Sequence, residues 1–164
     1  MRLRKNNIKG LLLLILLYSV PAYSSDIVVN IFKPLVPRGE IYVDLHTSQS
    51  SCDQFDDKSV ETFSAYASKV IPVTNEKMSV VFKDVPMGIY AVSAFHDLNG
   101  DRILNRQVFP GSGVPLESYG TSNNYFSPFS KPMFEKSSFA VHTDQVEITI
   151  NLRHNRSATN IQKP

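Results

Sequence analysis

Apolar and polar residues alternate strictly along GEIYVDLHTS: Ile41, Val43 and Leu45 fall on one side of an extended chain, Tyr42, Asp44 and His46 on the other. Successive side chains of a strand point to opposite faces, so this period of two predicts a half-buried strand. The period returns in QVEITINLR, where Val146, Ile148, Ile150 and Leu152 alternate with Glu147, Thr149, Asn151 and Arg153. KMSVVFKDV leads through Pro86-Met87-Gly88 into IYAVSAFH, which is apolar on both faces; the pair predicts a hairpin feeding a central strand. DIVVNIFK at 26–33 and SSFAVH at 137–142 predict further short strands. Residues 57–70 fit a short helix through Val60, Phe63 and Ala67, and equally a strand through Phe63, Ala65 and Ala67. No long segment carries a helical period. Short strands, turn signals and no internal repeat predict an all-β domain, an antiparallel Greek-key β-sandwich of immunoglobulin-like or prealbumin-like type. One long connection, Asp97 to about Met133, is rich in Asn, Gly, Pro and Ser, but its aromatics (Phe109, Tyr119, Tyr125, Phe126, Phe129, Phe134) predict a loop that packs and is ordered.

The N-terminus changes how the composition is read. Four cations (Arg2, Arg4, Lys5, Lys9) precede an apolar run from Leu11 to Val20, and Ala22 and Ser24 supply small residues for cleavage before Ser25. That is a signal-peptide layout, and the run is about half the twenty residues that a membrane-crossing helix needs. The expected organisation is a leader over residues 1–24, one domain over 25–154 and a flexible tail over 155–164, in a protein exported to the periplasm or secreted, with no membrane span once the leader is cut. Removing four of the 17 cations and none of the 15 acids turns the net charge from +2 to −2. Without a basic stripe to neutralise phosphates, nucleic acid is not an expected partner. Cys52 is the only cysteine, so no disulfide forms within the chain. Carboxylates around it disfavour a reactive thiolate, leaving only a disulfide between chains.

Candidate chemistry concentrates in FHDLNGDRILN. Oxygen-bearing side chains recur at Asp97, Asn99, Asp101 and Asn105, with the Ile103 carbonyl placed to fill the gap, a spacing that resembles a Ca²⁺ loop. Such a loop has Gly sixth and Glu twelfth; here Arg102 and Val108 hold those positions. Arg102 would then need a left-handed backbone, and two carboxylates beside a cation would bind Ca²⁺ weakly. The alternative is a polar turn in which Asp97 and Asn99 bond local N–H groups.

His96 beside Asp97 offers a hydrolase base, with Ser112, Ser118 or Ser122 as nucleophile, although no nucleophile elbow accompanies them. Zinc would need His46, His96 and His142 to converge from three strands. His96, Glu117, Tyr119, Asn123, Asn124 and Tyr125 make a candidate binding surface for a protein, peptide or glycan of the envelope, or else satisfy the loop's own backbone.

GIYAVSAFHDLNGDRILN, then VPLESYGTSNN and PFSKPMFEKSSFAV, resemble domain-of-unknown-function family 2141 of exported bacterial proteins. The matching positions are Gly88, Tyr90, Ala91, Val92, Phe95, His96, Asp97, Asn99 and Leu104; Gly113, Pro115, Glu117, Tyr119, Gly120, Ser122, Asn123 and Asn124; and Phe129, Pro132, Phe134 and Phe139. The chain departs from the family's pattern at Asp101-Arg102-Ile103, Asn105, Pro110 to Ser112 and Ser130-Lys131. The resemblance implies an exported prealbumin-like or carboxypeptidase-regulatory-like sandwich and names no reaction. The expected function is a non-catalytic binding or structural envelope module with no cofactor unless Ca²⁺; the alternative is a hydrolase using His96 and Asp97.

Overall fold

The structure, a computed structural model, describes residues 23–59, 64–109, 112–127 and 130–154. The predicted tail, Val60, Phe63 and all but the last two leader residues lie outside the described residues. The fold is all-β. One sheet has the order β10-β1-β4, formed by β1 (Ser24–Phe32), β4 (Lys77–Pro86) and β10 (Gln145–Asn151). The second has the order β3-β2-β5-β8, from β2 (Glu40–His46), β3 (Ala67–Pro72), β5 (Gly88–Asp97) and β8 (Tyr119–Thr121), and β9 (Ser138–Val141) also pairs with β5. β6 (Arg106–Phe109) and β7 (Ser112–Pro115) pair with each other. All these pairings are antiparallel except β1 with β10, which is parallel. Among the described residues no helix is long and apolar enough to cross a membrane.

One apolar cluster draws on both sheets. Ile27, Val29 and Ile31 of β1, Val80 and Phe82 of β4 and Ile150 of β10 meet Ile41, Val43 and Leu45 of β2 and Val92 and Ala94 of β5. Ile41, Val43, Leu45, Val80, Phe82 and Ile150 are positions that alternation assigns to the core, and each aliphatic side chain removed from water contributes about 1.5–3 kcal/mol.

Three expectations change. First, β2 is not half-buried: Tyr42, Asp44 and His46 are as buried as Ile41, Val43 and Leu45. Residues 47–58, including α1 (Gln49–Cys52), bring Phe55 and Lys58 against that face, where Tyr42, Phe55, Phe95, Leu104 and Tyr119 form a second, aromatic cluster. Second, Pro86-Met87-Gly88 joins no hairpin: β4 pairs with β1, and β5 pairs with β2, β8 and β9. A proline and a single linking residue cannot supply the two-residue turn that folds a strand back on its neighbour, so the chain passes from one sheet to the other. Third, the connection from Asp97 to Met133 is not one long loop: its described residues contain β6, β7, β8 and a 3-10 turn at Ser122–Asn124, while residues 110–111 and 128–129 lie outside the described residues. The ambiguous stretch 57–70 contributes Ala67 to Val70 to strand β3.

Candidate functional site

The Asp97 loop begins where β5 ends. Asp97 is buried; its Oδ1 accepts from Asn99 N (3.2 Å) and Gly100 N (2.7 Å), and its Oδ2 from Arg102 N (2.9 Å). Arg102 takes φ 65°, the left-handed backbone that its place in the spacing predicts. Asn99 Nδ2 donates to Asp101 Oδ2 (2.8 Å) and Asn105 Oδ1 (3.1 Å), Asn105 Nδ2 donates to Asp101 Oδ2 (2.8 Å), and Ile103 N donates to Asp101 Oδ1 (2.9 Å). The side chains of Asn99, Asp101 and Asn105 thus bond one another, and the carboxylate oxygens of Asp97 and Asp101 already accept from N–H groups. Glu117, also buried, straps the loop shut: Oε1 accepts from Leu98 N (2.8 Å) and Oε2 from Asn105 N (3.0 Å). Burial raises the Glu117 carboxyl pKa, and these two N–H groups oppose the rise. Gly39 fits beneath at φ 79°, where an added Cβ would lie 2.2 Å from the Asp97 carbonyl oxygen.

Tyr119-Gly120-Thr121-Ser122-Asn123-Asn124 acts as a staple. The Ser122 hydroxyl accepts from Val92 N (2.9 Å) and donates to Ser137 O. Asn123 Nδ2 donates to Ser138 O (2.8 Å), while Asn124 Oδ1 accepts from Asn151 N (2.9 Å) and its Nδ2 donates to Thr149 O (3.2 Å). Both asparagines have left-handed φ, 58° and 51°, which this residue type tolerates best after glycine. Tyr119 N and O exchange hydrogen bonds with Arg153 at 3.0 and 2.9 Å, joining the second sheet to the chain just past β10. Gly120 allows this approach, since a Cβ there would stand 2.7 Å from Ile150 Cγ2. Tyr119 is buried, and burial pushes its hydroxyl up to about 12. The staple therefore satisfies backbone, while Tyr125 stays half-buried at its end.

His96 is fully buried, with Nε2 donating to Arg38 O (2.6 Å) and Nδ1 accepting from Leu35 N (3.4 Å). Both ring nitrogens are engaged by backbone, and burial lowers its pKa. Of the candidate nucleophiles, Ser118 is fully buried and Ser122 belongs to the staple; the Ser112 side chain lies outside the described residues. His46 and His96, two of the three histidines that zinc would need, do not converge. His46 pairs with Ala91 and Ile41 with His96, which puts the two histidines five strand positions apart, about 17 Å. Among the described residues no group of three His, Cys, Asp or Glu side chains is placed to hold a metal. Cys52 is 1 % exposed, and burial pushes its thiol up to about 12, so a disulfide between chains has no accessible sulfur.

Two features lie outside the sequence reading. One is polar and buried, on the outer face of β2. His46 bonds Ser51 Oγ through Nδ1 (2.7 Å) and Ser93 Oγ through Nε2 (2.8 Å), and burial pushes it down to about 3. Beside it the Lys58 ammonium lies 2.5 Å from Asp44 Oδ2, and Ser68 Oγ donates to Asp44 Oδ1 (2.7 Å). Ser93, a lone hydroxyl within the apolar run IYAVSAF, was the available signal for this cluster.

The other feature is an open cleft of about 560 Å³ lined by Lys33, Asn124, Phe126, Asn151, Leu152, Arg153 and His154. A second cleft of about 550 Å³, lined by Phe32, Lys33, Pro34, Glu76 and Lys77, shares Lys33. Lys33 has φ 63°, and an aromatic ring carries a cation in each cleft: Arg153 lies 5.3 Å from the Phe126 ring and Lys77 5.3 Å from the Phe32 ring. The residues that form these clefts come from the end of β1 and the chain after it, the start of β4, the staple and the end of β10, so only the folded chain reveals them.

Residues 29–149 match the family model described as an uncharacterized protein conserved in bacteria, DUF2141, and the chain belongs to that family. No curated protein and no solved structure matches it.

Proposed function

We propose that this chain is an exported, non-catalytic envelope module, an antiparallel Greek-key β-sandwich of immunoglobulin-like or prealbumin-like type that holds an anionic envelope component, glycan or peptide, in the clefts around Lys33. The observation that carries the reading is their chemistry: Lys33, Lys77 and Arg153 line open space beside Phe32 and Phe126. By contrast, the polar groups of the Asp97 loop and the staple bond their own backbone. Export is supported by the cation-then-apolar N-terminus, and N-terminal sequencing of the chain from an envelope fraction should begin at Ser25. The binding test is calorimetric titration with acidic oligosaccharides and acidic peptides. Saturable, salt-sensitive binding that Arg153→Ala weakens about tenfold supports the reading, as the loss of one charge-assisted contact would. No saturable binding by either class at millimolar concentration ends it. A hydrolase at His96 and Asp97 has no open ring nitrogen in its favour. Turnover that His96→Ala abolishes in a folded chain would reinstate it.

A weak calcium-type role for the Asp97 loop keeps one supporting observation, the left-handed Arg102 at the position where such loops place glycine. An ion with millimolar affinity, at ten times its dissociation constant, would add about 1.4 kcal/mol to stability, a rise of several degrees in Tm over a chelated sample. Coincident melting curves in calcium and chelator end that reading.

A further inference from the structure

We propose that Lys58 and Asp44 condense spontaneously into an isopeptide cross-link between their side chains. The geometry points to it. Lys58 Nζ lies 2.5 Å from Asp44 Oδ2, closer than the roughly 2.7–2.9 Å of an ordinary charge-assisted hydrogen bond. The two side chains are 6 % and 1 % exposed, so the contact is held in a nearly dry interior with the Phe95 ring 5.9 Å from the nitrogen.

Both partners are held from several sides. Asp44 stands in the middle of β2, paired with Ser68 of β3 and Ser93 of β5. Lys58 is fixed by its own backbone, since Lys58 N donates to Arg102 O and Leu104 N donates to Asp56 O, both at 2.8 Å, around the bridge from Asp57 to Ile103. Two reactants fixed in contact react as though at very high concentration.

Burial also favours the forms that react. It raises the Asp44 carboxyl pKa and lowers that of the Lys58 ammonium, each against the attraction of the other. Transfer of one proton from Nζ to Oδ2 converts the ion pair into an amine and a carboxylic acid. The Nζ lone pair attacks Cγ, and the displaced electrons collect on Oδ1, where the Ser68 hydroxyl already donates at 2.7 Å. Collapse breaks the Cγ–Oδ2 bond. Oδ2 leaves with its own proton and a second from nitrogen, so the products are one amide and one water, and no oxidant, reductant or cofactor enters. The bond would tie residues 47–58 over the outer face of β2 in a chain whose one cysteine forms no internal disulfide.

Intact-mass spectrometry of the purified, folded chain, with its N-terminus determined, tests the proposal. The expected mass is short of the sequence by one water, and digestion should give a branched peptide joining the Asp44 and Lys58 segments. Lys58→Met and Asp44→Ala should each show full mass. Full mass in the native chain, or only a linear Lys58 peptide in its digest, overturns the proposal. So does a deficit that persists in either variant, because it places the lost water elsewhere, as a succinimide would. If the variants do not fold, the native digest alone decides.

Discussion

β2 has two buried faces that differ in kind. Toward the other sheet it presents Ile41, Val43 and Leu45 to an aliphatic cluster; on the other side it presents Tyr42, Asp44 and His46, equally buried, to aromatics, hydroxyls and a lysine. The inner face is stabilised by area removed from water, and any aliphatic residue of similar shape serves. The outer face depends on matching, because each buried polar atom must meet a partner. Burial alone therefore does not tell what a strand face tolerates.

The sharpest break in this comparison is Lys58→Met. It strands a buried carboxylate and should cost about 3–5 kcal/mol by denaturant unfolding, whereas Asp44→Leu with Lys58→Met should recover the part that comes from the stranded charge and leave the part that comes from the missing cross-link. No second polar change can rescue the inner face, where Leu45→Ala should cost about 3 kcal/mol through transfer and cavity terms. Acid separates the faces without mutation. His46 titrates near 3 in the folded chain, below its ordinary value, so the unfolded state takes up its proton first as pH falls. Stability from neutral His46 is complete above about pH 6.5 and drains below it, by about 2–3 kcal/mol at pH 4.5. His96 shifts the same way. Denaturant midpoints measured across that range should fall, and His46→Gln should flatten the slope; an unchanged slope would contradict the buried neutral imidazole. Glu117→Gln sets an amide N–H against one of two backbone donors and should cost about 1–2 kcal/mol. The smallest effect is at Cys52, which should resist alkylation in the native chain and react once unfolded.

The inner face was legible because apolar alternation in GEIYVDLHTS and QVEITINLR reports a face that meets apolar neighbours. The outer face was not, since Asp44 and His46 read as solvent-facing until Lys58, Ser51 and Ser93 arrive from elsewhere in the chain. The Asp97 loop was half legible. Local spacing pointed to a polar loop in which Arg102 turns left-handed, but Glu117, which closes the loop, comes from beyond the β6–β7 pair. The break between β4 and β5 looked like a turn because sequence shows adjacency along the chain and not which sheet each strand joins. Lys33 and Arg153 gave no sign of sharing a cleft, being 120 positions apart.

The parallel pairing of β1 with β10, from Asp26 beside Gln145 to Phe32 beside Asn151, has a mechanical consequence. The chain enters β1 at one end of this seam and leaves β10 at the opposite end, so tension between Ser24 and His154 loads the whole ladder in shear, and its bonds must yield together. Pulling from Ser24 and Asp144 would instead peel them apart in turn, and single-molecule stretching should record the higher rupture force for the first pair of handles.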